Sequence, residues 1–299
     1  MPNPLLTSIN TAVRESNELR TYFNRYLGTA EHPRGQILSA YRNGRNALET
    51  VLRRQDATMM QQAQQTIEEL RRNVQAAILA GLASSIVLGQ ESAKIQIAAY
   101  EAAGVSVQVA RQAARPSLYA AAPIAGLNQQ LQAVSALITT GAAPEEIIGD
   151  GTRLGLLQPA PVQNETARWL RTAVSGGFIG WLIGTQPQAP TPVGERFPFR
   201  RQAIAGIDER TTNCCLQVHG QTVGMNEDFL LTGTPRYADR QKDPPFHDRC
   251  RTSVALYLAE FDDGYTDMMQ EAAQLEQQAR ESDSYKAPHP ANAFTRVRR

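Results

Sequence analysis

Gln61–Leu79 reads QQAQQTIEELRRNVQAAIL, and the run continues as AGLASSIVLG to Gly89. Ile67, Leu70, Val74, Ile78, Leu82 and Ile86 recur at steps of three and four, the spacing of one face of an α-helix. The other face carries Glu68, Arg71 and Arg72, placed for i,i+3 and i,i+4 pairing in water. Ala76 to Gly89 is uncharged, but Arg71-Arg72 before it and Gln90-Glu91 after it leave it shorter than the ~20 residues of a membrane span. We expect a long buried helix here and no stable membrane insertion.

Outward from this helix the chain stays helical in texture. The first half is rich in Ala and Gln, and aromatic residues make up 6% of the 299 residues, a mixture that favours helices over sandwiches or barrels. A second helix is expected over Ser92–Ala114, ending at Arg115-Pro116. Another starts at Pro144 with Glu145 and Glu146 near its positive end and closes at Gly149–Gly151. Asn164 is a suitable N-cap for a helix through Val174, and Gly176–Gly184 reads as a packed turn or short helix.

Thr185–Pro198, TQPQAPTPVGERFP, has no apolar period and reads as an extended linker or a strap. Beyond it, Ala203–Ile207 and Ser253–Leu258 are short apolar pieces between turn residues. Thr266–Arg280 returns to helix, with Met268, Met269, Ala272, Leu275 and Ala279 along one side, before a polar tail ending in Arg296, Arg298 and Arg299. The expected fold is mainly α. A long helical region (1–184) and a proline-rich linker (185–198) lead to a small α+β Cys/His module (199–258), then a C-terminal helix and flexible basic tail (259–299).

The formal charge of +1 excludes a global attraction to DNA or anionic lipid, so any contact with nucleic acid is local and weak. MPNPLLTSINTAV shows no basic segment followed by an apolar one, which points to the cytoplasm or the inside of a particle. GxGxxG, GxxxxGK[ST], HExxH and GxSxG patterns do not occur.

All 3 cysteines and two of the 4 histidines fall in DERTTNCCLQVHGQ (208–221) and DPPFHDRCRTSV (243–254). Cys215-x3-His219 and His247-x2-Cys250 offer two thiolates and two imidazoles, a donor set that tetrahedral zinc accepts. A Cys215–Cys250 disulfide, or buried thiols and hydrogen-bonded histidines without a ligand, would account for the same residues. Cys214 is left over in every case. Turn-forming roles suit the neighbours: Asp208 and Arg210 to orient a turn, Gly220 for a positive φ, Pro244-Pro245 to stiffen the approach to His247.

The ordered set Asp208-x-Arg210-Thr211, Cys215, Gly220, then Pro244-Pro245-x-His247-x-x-Cys250-Arg251 resembles the signature of the phage Mu F-type head morphogenesis family. The resemblance covers the last third before the tail. Members often carry a second cysteine directly after the Cys-Arg pair, where this chain has Thr252. The resemblance implies a non-enzymatic minor capsid protein of a tailed phage or prophage. Such a protein sits beside the portal in the virion, contacts portal and other head proteins, and assists head assembly or DNA ejection after synthesis in the host cytoplasm. The alternatives from other classes are a zinc-dependent enzyme and a zinc-scaffolded DNA-binding module. Against the latter, Arg196, Arg200, Arg201, Arg210, Arg249 and Arg251 are interleaved with acids rather than gathered in a stripe.

Overall fold

The computed structural model describes residues 17–54, 56–102, 105–108, 114–149, 155–182, 186–188, 199–207, 210–258 and 264–280. The basic tail and most of the proline-rich stretch lie outside the described residues. Helices α1 (Asn17–Gly28), α2 (Glu31–Leu52) and α3 (Met59–Ala102) are followed by β1 (Ser106–Gln108), α4 (Pro116–Thr139), α5 (Pro144–Ile148) and α6 (Pro159–Leu182). After β2 (Gln186–Gln188) come β3 (Arg200–Ala205), α7 (Asn213–Val218), β4 (Thr222–Gly224), β5 (Phe229–Leu230), β6 (Arg240–Gln241), β7 (Thr252–Tyr257) and α8 (Tyr265–Arg280). The chain is therefore mainly α, with a small strand-containing region and a closing helix.

The face read from the sequence is the buried one: Ile67, Leu70, Val74, Ile78, Leu82 and Ile86 are all buried in α3. Glu68 meets Arg71 at 3.0 Å on the exposed side. Other expectations are corrected. The helix does not stop near Gly89 but runs unbroken for 44 residues, and Ser106–Gln108 is a strand paired antiparallel with Gln186–Gln188. Val105, Val107 and Val109 alternate there, a period of two that the helical reading passes over. Pro116 does not only end a segment; with Arg115 extended before it, it occupies the first turn of α4. Asn164 is interior to α6, which starts at Pro159 and continues through the glycine-rich stretch to Leu182.

Contacts divide the chain into two compact units: Met1–Leu27, Ile86–Ala114 and Val174–Arg299 in one, Gly28–Ser85 and Arg115–Ala173 in the other. The division runs through α3 and α6, not along 185–198, so helices from the first half share a unit with the Cys/His region. The second unit buries Ile37, Tyr41, Leu48, Leu127, Leu131 and Ile147, among others. Its polar ties centre on Gln130, which accepts from the Tyr41 hydroxyl and donates to Leu156 O at 3.1 Å and Gln158 O at 2.8 Å.

In the first unit a three-stranded antiparallel sheet has the order β4-β3-β7, with Ala203 opposite Val254 in the six-residue β3–β7 pairing. β7 is buried along its whole length, and among the described residues its outer edge has no partner strand. Side chains from helices supply the bonds: Leu256 N donates to Gln96 Oε1 (2.7 Å), Tyr100 OH to Leu256 O (3.2 Å) and Tyr26 OH to Thr252 O (2.7 Å). Gln96 Nε2 donates to Ser92 Oγ (3.0 Å), and the Tyr22 hydroxyl meets both Ser92 and Ser253. Burial pushes the Tyr22 phenol up, so it stays a neutral hydrogen-bonding group.

Within the same unit α3 and α6 touch backbone to backbone. A Cβ at Gly89 would lie 2.0 Å from Val174 O, and one at Gly177 would lie 2.3 Å from Ile86 O. Gly177, from the glycine-rich stretch, thus serves close helix packing.

Gln96→Ala leaves the Leu256 N–H buried without an acceptor, a loss of about 2 kcal/mol. We expect a correspondingly lower denaturant midpoint with an unchanged m-value; an unmoved midpoint would show that the β7 edge is held by other means.

Candidate metal centre

Two attachments to the β3–β7 pair bring the Cys/His strings together. Gly206 N donates to Arg251 O (3.0 Å), extending the ladder past both strands. On one side Thr212 opens α7 in an extended conformation, and its hydroxyl accepts from Cys215 N (3.4 Å), which sets Cys215 in the first turn. On the other side Cys250 N donates to His247 O (3.2 Å), closing a turn in which Arg249 has φ +57°, directly before β7.

Cys215, His247 and Cys250 are buried, and one donor atom from each lies within 4.8 Å of the others. Cys215 Sγ is 2.9 Å from His247 Nε2 and 3.7 Å from Cys250 Sγ. His247 Nδ1 lies 2.7 Å from Asp248 O. A carbonyl only accepts, so Nδ1 carries a proton and Nε2 is the ring nitrogen turned to the sulfurs, the one a metal would take. The sulfur separation matches the ~3.8 Å edge of a tetrahedron with ~2.3 Å metal–sulfur bonds. The group could hold a metal ion.

Electrostatics pull the two thiols apart. The hydrogen bond from Cys250, then the neighbouring His247, hold Cys215 well below the ordinary thiol range, while burial pushes Cys250 well above it. One proton is thus held on Cys250 and shared with a Cys215 thiolate. Cys214 is buried beside them and raised to about 12 by burial and by Cys215; it does not join the group.

His219 does not join it either, so the expected four-donor set reduces to three. α7 ends at Val218, and His219 turns away with its Nδ1 accepting from Ala205 N at 2.9 Å. It ties the helix end to β3. Gly220 has φ +81° and donates to Ala203 O (2.9 Å); a Cβ there would meet Gln270 Cγ at 3.0 Å. Thr211 is buried, its hydroxyl donating to Gly206 O and its carbonyl accepting from Arg280 Nη1 (2.6 Å). Pro244 and Pro245 are buried, and Pro245 O accepts from Gln241 Nε2 (2.7 Å). Arg251 is half-buried and joins the ladder through its carbonyl, Arg210 stands at the turn before Thr211, and Asp208 lies outside the described residues.

Sequence reasoning misses Arg201, which is 0% exposed at the centre of the sheet. It donates to Gly224 O, Glu227 O and Lys242 O (2.6 Å), pairs with Asp243 at 2.5 Å, and lies over the Phe229 ring. Burial pushes the Asp243 carboxyl up and Arg201 pulls it back. The available signal is strand parity: Phe199, Arg201, Ala203 and Ala205 alternate on one buried side.

No family model, curated protein or solved structure matches the chain.

Two outcomes follow from the site. Because Cys250 keeps its proton through the neutral range, a bound metal must displace it, so apparent metal affinity should rise about tenfold per pH unit around neutrality. Chelator competition at several pH values measures this, and a flat profile would contradict the shared-proton arrangement. Arg201→Met strands Asp243 and should destabilise the protein by about 3 kcal/mol, read from denaturant unfolding.

Proposed function

We propose that this chain is a minor head protein of a tailed bacteriophage or prophage. It associates with the portal and acts in head morphogenesis or DNA ejection, and structural zinc fixes its C-terminal module. The observation that carries the reading is the ordered motif Thr211, Cys215, Gly220, Pro244-Pro245, His247, Cys250, Arg251, of which Cys215, His247 and Cys250 meet in one buried group.

Chemistry supports zinc over the other metals, since two thiolates and an imidazole suit it and His247 turns Nε2 to the sulfurs while Nδ1 meets Asp248 O. Burial supports a structural role: Cys215 and Cys250 are 0% exposed and His247 2%, so a substrate has no approach to sulfur or imidazole. In this reading the module is a rigid fixture that presents its surface to portal and head proteins, and any contact with packaged DNA is weak and local.

Purified heads test it. The protein should be present at low copy in full heads by mass spectrometry, and heads assembled without it should be defective in yield, DNA content or ejection; normal heads would sink the assignment. Protein purified without chelator should contain about one zinc per chain. Cys250→Ser should release the metal and make the module sensitive to protease.

A further inference from the structure

Cys215, His247 and Cys250 supply three donors, whereas closed structural zinc sites take four. Two hydroxyls reach this point: the fully buried Thr252 meets Cys215, and Thr212 meets both the Cys215 amide and His247. Thr212 Oγ1 lies 2.8 Å from His247 Nε2, the ring nitrogen turned to the site, and the same oxygen accepts from Cys215 N. The three donors are buried and Thr212 is half-buried, so it is the member of the cluster that reaches solvent.

The Thr212 hydroxyl and Cys215 Sγ both converge on that nitrogen. Polar atoms gathered this closely are aimed at a common centre, which a cation could take. The distances agree. A tetrahedral zinc would space sulfur from nitrogen by ~3.6 Å and nitrogen from oxygen by ~3.3 Å, using ~2.3, ~2.05 and ~2.0 Å bonds. The observed 2.9 and 2.8 Å are each short by a similar amount, while the 3.7 Å between sulfurs is already right. One movement, a withdrawal of the imidazole by about 0.6 Å, corrects both short edges together.

Charge argues the same way. Two thiolates balance a divalent ion, and a neutral hydroxyl oxygen keeps the buried centre neutral, whereas a carboxylate or hydroxide would leave a net negative charge to desolvate.

We propose that Thr212 Oγ1 is the fourth donor of the metal centre, which makes it a closed site of two cysteines, one histidine and one threonine. This rests on the zinc reading above. The hydroxyl then has two duties: it caps α7 through Cys215 N and closes the coordination sphere on the solvent side.

The test uses the full chain loaded with zinc or cobalt(II). X-ray absorption should count two sulfurs on the wild-type metal and three in Thr212→Cys, because a sulfur placed at that corner enters the sphere. The wild-type cobalt spectrum should ignore added azide. Thr212→Ala should bind metal roughly 10–100-fold more weakly and take azide at the vacated corner. If Thr212→Ala does not fold, the sulfur count in Thr212→Cys decides alone. A wild-type chain that binds neither ion overturns the zinc reading and this proposal together. A wild-type chain that binds zinc while Thr212→Cys still shows two sulfurs, or whose cobalt spectrum shifts with azide, overturns this proposal only.

Discussion

The outer edge of β7 is the constraint on which the first unit depends. A buried strand edge without a partner strand leaves amide and carbonyl groups that each cost about 1–3 kcal/mol if unmet. Here the partner is a set of side chains: Gln96 and Tyr100 on α3 and Tyr26 on α1 take the places of ladder bonds. Because such bonds are directional and specific, they fix the rotation of both helices against the sheet, which apolar packing alone would leave less determined. The unit therefore combines distant pieces of chain, and the Cys/His region is continuous with a helical scaffold.

The same sheet fixes the metal-site geometry. β7 holds Cys250 from one side, β3 holds the end of α7 through His219, and Arg201 locks the turns around Gly224, Glu227 and Asp243. Three backbone carbonyls and one carboxylate surround the guanidinium, so its charge is met without water. The loop between the two Cys/His strings is consequently held at several points besides the Cys/His group.

Much of this is legible in the sequence, and the exceptions have identifiable causes. The buried face of α3 follows directly from apolar spacing, since nothing polar competes along it. The C-terminal helix does not obey the same logic: Met268 and Leu275 are exposed, while Met269, Ala273 and Glu276 turn inward. Glu276 is buried because Arg280 pairs with it at 3.1 Å and reaches on to Thr211 O, a tertiary contact that residue types along the helix do not reveal. For the candidate metal site, the clustering of Cys and His points to three residues that the fold brings together. His219 misleads because i,i+4 spacing brings residues together only on a continuous helix, and α7 ends one residue too soon. β1 is lost to the helical character of its surroundings.

The tyrosine hydrogen bonds of α1 also bear on how the molecule is made. Tyr22 and Tyr26 find their partners in β7 at separations of 231 and 226 residues. During synthesis α1 emerges long before the strand it caps, whereas Gly28–Ser85 can meet Arg115–Ala173 while the last third is still inside the ribosome. Closing a loop that long adds entropy only slowly with length, and although Leu88 and Val174 can pack against Tyr22 and Tyr26 earlier, the Tyr26 hydroxyl waits for its partner in β7. The late-emerging strand thus completes an earlier-made helix, and a product stalled before β7 would leave the α1 tyrosines without these two bonds.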